Sequence, residues 1–85
     1  ALDCAMWDLE ARIAGAPAAR LIGGGQAGPV TTAMTVSLDT PQAMGEAAAR
    51  LAHLPLVKVK VNADDPAAML RAVRAAAPNP VLIVD

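Results

Sequence analysis

Phenylalanine and tyrosine are absent from this sequence, and one tryptophan supplies its only aromatic side chain. Of the 85 residues, 55% are hydrophobic, but many of these are alanines, which have little side chain to bury. A chain of this length buries only about 60–65% of its unfolded surface, so its own core would be marginal. The composition therefore predicts a piece of structure that packs against more protein.

Membrane and nucleic-acid partners are excluded by what the chain lacks. No apolar run approaches the roughly 18 residues of a bilayer span, and the N-terminus has no signal-peptide pattern. The net charge is −1 with both signs interspersed, so there is no basic stripe for nucleic acid. Cys4 is the single cysteine, which rules out an internal disulfide and favours a reducing, cytoplasmic location.

Hydrophobic spacing and capping residues predict the order helix, loop, β, α, β, α, β. The predicted elements are a helix ended by Gly15 and Pro17, a glycine-rich connection over 21–29, strands over 31–36, 56–61 and 81–84, and helices that follow the caps Thr40 and Asp65. Each connection between strands has room for one helix, which predicts parallel strands with right-handed crossovers. The fold class is therefore α/β. Arg71 and Arg74 are expected on the solvated face of the last helix.

Two lysines interrupt the second strand, in the stretch VKVKV. Side chains two residues apart share a face of a strand, so Lys58 and Lys60 point one way and the valines point the other. Strands of parallel sheets are usually apolar on both faces, and an ammonium on a buried face is costly without a counter-charge. A lysine placed there is a candidate general base. The alternative is an edge strand with two solvated lysines.

Asp85 follows the next strand, VLIV, directly. Neighbouring parallel strands lie about 4.8 Å apart, and Lys60 and Asp85 both fall near the carboxyl ends of their strands. Barrel active sites form at that end, so a base and an oxygen ligand would converge there. Taken alone, Asp85 is more simply an N-cap or loop aspartate. Thr35, near the end of the first strand, is a candidate substrate contact, with a plain strand threonine as the alternative.

The whole chain resembles proteins of the enolase superfamily. Within that superfamily it resembles the muconate-lactonizing-enzyme subgroup, and within the subgroup it is most like the dipeptide epimerases. VKVKV followed by a capped helix and VLIVD resembles the Lys-x-Lys strand and the first metal-ligand strand of that family. ALDCAMWDLEARIAGAPAARLIGGG resembles the helix and loop that join the capping domain to the barrel, and TTAMTVSLDTPQAM resembles the first barrel strand and helix. The resemblance implies a fragment of a (β/α)8 barrel. Residues 1–29 would connect from the capping domain, and residues 30–85 would form the first three strands and two helices of the barrel.

The resemblance also implies a chemistry. Lys60 would be the acid/base on one face of the substrate, Lys58 would support it and touch the substrate carboxylate, and Asp85 would be the first of three acidic ligands to Mg²⁺. The parent enzyme would then be an isomerase that moves the α-proton of an L-Ala-D/L-Glu dipeptide through an ene-diolate, as this superfamily does with magnesium. Glycine often follows the lysine strand in this family. Asn62 stands there instead, and it is expected to tolerate a left-handed conformation.

Other interpretations stay open on the sequence. The same family includes o-succinylbenzoate synthases, N-acylamino-acid racemases and muconate cycloisomerases, and a non-catalytic α/β interaction fragment is an alternative of another class. The remaining metal ligands and the opposing base would come from later strands, so the 85-residue chain alone is expected to be inactive. The resemblance leaves a homo-oligomeric parent open.

Overall fold

The computed structural model describes all residues from Ala1 to Asp85 and divides into two compact units, Ala1–Val30 and Thr31–Asp85. Its elements are α1 (Leu2–Ala14), α2 (Ala18–Leu21), β1 (Met34–Val36), α3 (Pro41–Leu51), β2 (Leu56–Val59), α4 (Pro66–Ala76) and β3 (Val81–Val84). The predicted order of helices and strands is confirmed, with the short helix α2 as an addition. None of the helices combines the length and hydropathy that crossing a membrane would need.

The first unit holds α1 and α2. α1 ends at Gly15, whose φ of 61° is left-handed, and the Ala16 N–H donates to the Ala11 carbonyl over 3.0 Å. Glycine suits this position because it has no Cβ to clash there. The apolar residues that recur at helical spacing in α1 are 59–79% exposed; they are Leu2, Met6, Leu9 and Ile13. The assignment of this unit to a capping domain stays a prediction.

The second unit is built on a three-stranded parallel sheet in the order β1-β2-β3. Thr35 pairs with Lys58, and Lys58 pairs with Ile83. The predicted parallel pairing is confirmed, whereas two strand lengths are wrong. β1 begins at Met34 and not at residue 31, and β2 ends at Val59 and not at residue 61.

Both crossover helices begin where their capping residues predict. Thr40 Oγ1 accepts a hydrogen bond from the Ala43 N–H over 3.3 Å, and Asp65 Oδ1 accepts one from the Ala68 N–H over 2.9 Å. A proline follows each cap, at the first helical position, where its missing N–H removes no helical bond. These caps fix the points at which the chain turns back toward the next strand.

The core of the second unit lies between one face of the sheet and the two helices. Val57 and Val59 of β2 are fully buried there. The core residues are Val36, Met44, Ala48, Val57, Val59, Met69, Val73 and Ala77. α3 and α4 approach closely at Gly45, where an added Cβ would lie 3.4 Å from the Ala72 carbonyl oxygen. Because the core occupies the valine face of β2, Lys58 of that strand is left on the opposite face.

The loop between α4 and β3 is held by Arg74. Its Nη1 donates to the carbonyl oxygens of Pro80 at 2.8 Å, Pro78 at 2.9 Å and Ala77 at 3.4 Å. Arg74 is exposed, as predicted for the solvated face of its helix, and these three hydrogen bonds are an addition to that prediction. The carbonyls after the end of α4 have no helical donor, and the guanidinium supplies one. Arg74 thereby anchors the chain just before the strand that leads to Asp85.

Candidate active site

Lys58 lies on the central strand of the sheet, and Lys60 lies just beyond the end of that strand. β2 is flanked by β1 and β3, so the alternative that it is an edge strand is wrong for this sheet. Burial alternates along β2, with Lys58 half-buried between the fully buried Val57 and Val59, and Lys60 exposed. This alternation agrees with a shared lysine face opposite the valines. Lys60 follows the last strand residue, and its N–H still donates to the Val36 carbonyl over 3.1 Å.

Asp85 meets the lysines at the carboxyl end of the sheet. Its N–H donates to the Val59 carbonyl over 3.0 Å, and its own carbonyl accepts from the Val61 N–H over 3.0 Å. Because Val59 pairs with Val84, one further step of the register sets Asp85 beside Lys60. The ladder bonds therefore hold the Asp85 backbone in place although β3 ends one residue earlier.

The Asp85 carboxylate forms an ion pair with Lys58. Its Oδ2 lies 2.7 Å from Lys58 Nζ, and the two side chains are 51% and 36% exposed, respectively. The hydrogen bond from Lys58 and the charge of Lys58 lower the pKa of the Asp85 carboxyl, and the charge of Lys60 lowers it further. Both residues were predicted at this end of the sheet, but the family resemblance implied separate partners, a substrate carboxylate for Lys58 and a metal ion for Asp85. Their direct contact could have been found from the parallel register, in which residues on one face of adjacent strands lie within reach of a long side chain.

Thr35 lies across from Lys58 on β1 and is exposed. Thr35, Lys58, Lys60 and Asp85 are thus brought to one end of the sheet, as the sequence predicts for substrate, base and metal groups. Their chemical roles stay predictions. The arrangement can hold an anionic ligand near two ammonium groups and a cation near one carboxylate.

The segment after Lys60 departs from its expected conformation. Asn62 was expected to tolerate a left-handed backbone, but no residue other than glycine has a positive φ. Asn62 instead caps its own turn, since its Oδ1 accepts from the Asp64 N–H over 3.1 Å and its Nδ2 donates to Asp64 Oδ2 over 2.7 Å. Asparagine replaces glycine here through side-chain hydrogen bonding rather than through backbone freedom.

The donor chemistry at Asp85 fits one ligand of a magnesium ion. A carboxylate oxygen is the kind of ligand that Mg²⁺ prefers, and Lys58 occupies only Oδ2. The chain brings together no group of three or more His, Cys, Asp or Glu side chains that could hold a metal ion. Any magnesium ion at this edge would therefore take its other ligands from elsewhere.

Comparisons with known proteins identify relatives of this chain. No protein-family model matches the chain. The N-acetyl-D-glutamate racemase of a Pseudoalteromonas species is 44% identical to it, and the L-Ala-D/L-Glu epimerase of Escherichia coli (strain K12) is 42% identical, each over the whole of this chain. A solved enolase-family structure from Agrobacterium tumefaciens, with homology to dipeptide epimerases, covers the whole chain at 50% identity and a TM-score of 0.84. This chain is a homologue of enolase-family proteins.

A second solved structure, an L-Ala-D/L-Glu epimerase, matches this chain with a TM-score of 0.74 and 43% identity. The segment spans 27% of each curated relative and 26–27% of each solved chain. The predicted fold class, a parallel α/β fragment of a barrel of the (β/α)8 type, is confirmed by these matches. The A. tumefaciens structure contains bound sodium and L-Ala-L-Glu.

Proposed function

We propose that this enolase-family segment belongs to an isomerase that inverts the α-carbon of an N-acylated glutamate, with the L-Ala-D/L-Glu dipeptide as its substrate. The observation that carries the proposal is the meeting of Lys58, Lys60 and Asp85 at the carboxyl end of two adjacent parallel strands, with a 2.7 Å contact between Lys58 and Asp85. Active sites of barrel enzymes form at that end of the strands. The names of both curated relatives support an epimerase or racemase.

In this proposal Lys60 moves the α-proton. Its neutral amine takes the proton from one face of the α-carbon, and its ammonium returns a proton to that same face in the reverse direction. The exposed side chain of Lys60 is the one free to reach a ligand, because the ammonium of Lys58 is already held by Asp85. Inversion also needs a proton donor on the opposite face, which would come from another part of the parent protein.

Proton removal gives an ene-diolate, in which a second negative charge develops on carboxylate oxygens that already carry one. A bound Mg²⁺ would supply electrostatic stabilisation of that charge. Asp85 is the residue of this chain that would hold the ion, as one of its oxygen ligands. Lys58 and Lys60 add two positive charges at the same edge, and Lys58 and Thr35 would bind the substrate carboxylate.

The names of the two curated relatives support the proposed substrate class. L-Ala-D/L-Glu is a glutamate acylated by alanine, and N-acetyl-D-glutamate is a glutamate acylated by acetate. Both place the inverted α-carbon between a carboxylate and an acylated nitrogen, and the alanyl group differs from the acetyl group by one more carbon and an amino group. The second candidate function is therefore racemisation of N-acetylglutamate, which the relative at 44% identity favours.

The proposal is tested with the full-length protein and magnesium in deuterium oxide. L-Ala-L-Glu, L-Ala-D-Glu and the two N-acetylglutamate enantiomers are supplied separately, and NMR follows loss of the α-proton signal while chiral chromatography follows inversion. We expect turnover of the dipeptides, with N-acetylglutamate slower. Faster turnover of N-acetylglutamate would select the second candidate, and no exchange with any of the four would refute the isomerase assignment.

A further inference from the structure

Lys58 and a metal ion would compete for the same carboxylate, that of Asp85. Lys58 Nζ lies 2.7 Å from Asp85 Oδ2, a distance at which the ammonium donates a charge-assisted hydrogen bond. Asp85 is also the residue that the proposed function assigns as a magnesium ligand. Two cations that approach one carboxylate repel each other, and that repulsion is strong where solvent is partly excluded.

We propose that Lys58 is an exchangeable counter-ion of Asp85, which is displaced when the metal ion binds and is thereby released to bind the substrate carboxylate. The inference rests on the proposed function, because it takes Asp85 as a metal ligand. It assigns Lys58 two successive partners. Without the metal ion Lys58 neutralises Asp85, and with the metal ion it faces the substrate.

The structure makes this exchange feasible in two ways. The Lys58 side chain is only half-buried, and its flexible four-carbon stem lets the ammonium move without displacing the strand. The Asp85 backbone is held by ladder bonds to Val59 and Val61, so its short side chain still extends from a fixed point when its counter-ion leaves. The long Lys58 side chain is therefore the more mobile partner of the pair.

A consequence of the exchange is that Lys58 weakens metal binding in the absence of substrate. Lys58 and the metal ion compete for Asp85, and such coupling is reciprocal. The factor by which bound metal weakens the Lys58–Asp85 contact is therefore the factor by which that contact lowers the affinity for the metal. Removing the ammonium should therefore tighten Mg²⁺ binding. A residue that merely orients Asp85 for the metal would have the opposite effect, because its loss would loosen binding.

The experiment is a calorimetric titration of the metal-free, full-length protein with Mg²⁺ at low, constant ionic strength. Lys58→Met keeps most of the side-chain stem and removes the charge, Lys58→Gln is a second neutral variant, and Lys58→Arg keeps the charge. Lys60→Met is the matched control, since Lys58 and Lys60 are the two lysines of the chain and only Lys58 contacts Asp85.

We expect both neutral Lys58 variants to bind Mg²⁺ about tenfold more tightly than the unsubstituted protein. The Mg²⁺ affinity of Lys58→Arg should stay within about threefold of that of the unsubstituted protein. Lys60→Met should gain less Mg²⁺ affinity than the neutral Lys58 variants, because the Lys60 ammonium does not contact Asp85 and acts on it only by longer-range electrostatics. Equal gains in Lys58→Met and Lys60→Met, or weaker binding in Lys58→Met, would overturn the inference and leave the isomerase proposal standing. No Mg²⁺ binding by the unsubstituted protein would overturn both proposals. Tighter binding in Lys58→Met, together with no isomerase turnover by the unsubstituted protein, would refute the proposed function alone.

Discussion

Replacing Arg74 should loosen the start of β3. Its guanidinium donates to three carbonyl oxygens between Ala77 and Pro80, and two of these contacts are part-buried. Hydrogen bonds from charged donors contribute about 1.5–3 kcal/mol each, but the contacts share one nitrogen and the side chain is exposed. We therefore expect Arg74→Met to lower the free energy of local opening by about 1–2 kcal/mol in total.

Native-state hydrogen exchange in the full-length protein measures this loss directly. The Val81 N–H, which donates to the Pro55 carbonyl over 3.0 Å, reports the opening of β3 at the end nearest Arg74. A loss of 1–2 kcal/mol raises its exchange rate about five- to thirtyfold. Arg71→Met is the matched control, because Arg71 is exposed on the same helix and makes no comparable hydrogen bond. Equal exchange in the two variants would refute the anchoring role of Arg74.

Three further outcomes follow from the site and the caps. In the metal-free, full-length protein, Lys58→Met should raise the pKa of Asp85 toward its ordinary value, as read from carboxyl ¹³C shifts; an unchanged titration would argue against the ion pair. Because the pKa of Asp85 is lowered by folding, the stabilisation from this pair is complete above about pH 4 and is lost as the pH falls through the lowered value. Thr40→Ala should lower the free energy of unfolding, measured by urea denaturation, by about 1 kcal/mol. Thr40→Ser should lower it much less, since serine keeps the hydroxyl that accepts from the Ala43 N–H; equal losses would exclude the cap. The 85-residue chain alone should show no dipeptide epimerisation and no specific binding of Mg²⁺ in a calorimetric titration. Tight Mg²⁺ binding together with turnover would contradict this.

The parts of the fold that the sequence predicts well are those with local causes. α3 and α4 start at the residues after Thr40 and Asp65, because each cap bonds to an N–H three residues later in its own helix. β3 matches its predicted range because proline precedes the apolar run and Asp85 follows it. Such signals depend on neighbours in the chain and not on tertiary contacts.

The parts that the sequence misses depend on distant partners. β1 is shorter than its β-prone run, because only Met34 to Val36 pair with β2, and this pairing depends on a strand more than twenty residues away. The ion pair of Lys58 with Asp85 joins residues of two strands, and the apolar pattern of α1 predicts a helix without stating what its exposed face contacts. For the site, the spacing of the lysines and the strand-end aspartate predicted convergence, whereas the pairing within it required the register.

The most direct test of the account is the fate of the α-proton when Lys60 is removed. In the full-length protein with Mg²⁺ in deuterium oxide, Lys60→Ala is compared with the unsubstituted protein on L-Ala-L-Glu and on L-Ala-D-Glu. Loss of a general base typically costs about 10²–10⁴-fold in rate. We predict a fall of that size in inversion from both epimers, with the fold and Mg²⁺ affinity largely retained. Inversion at the unsubstituted rate in Lys60→Ala would contradict the assignment of Lys60 as the acid/base of this site.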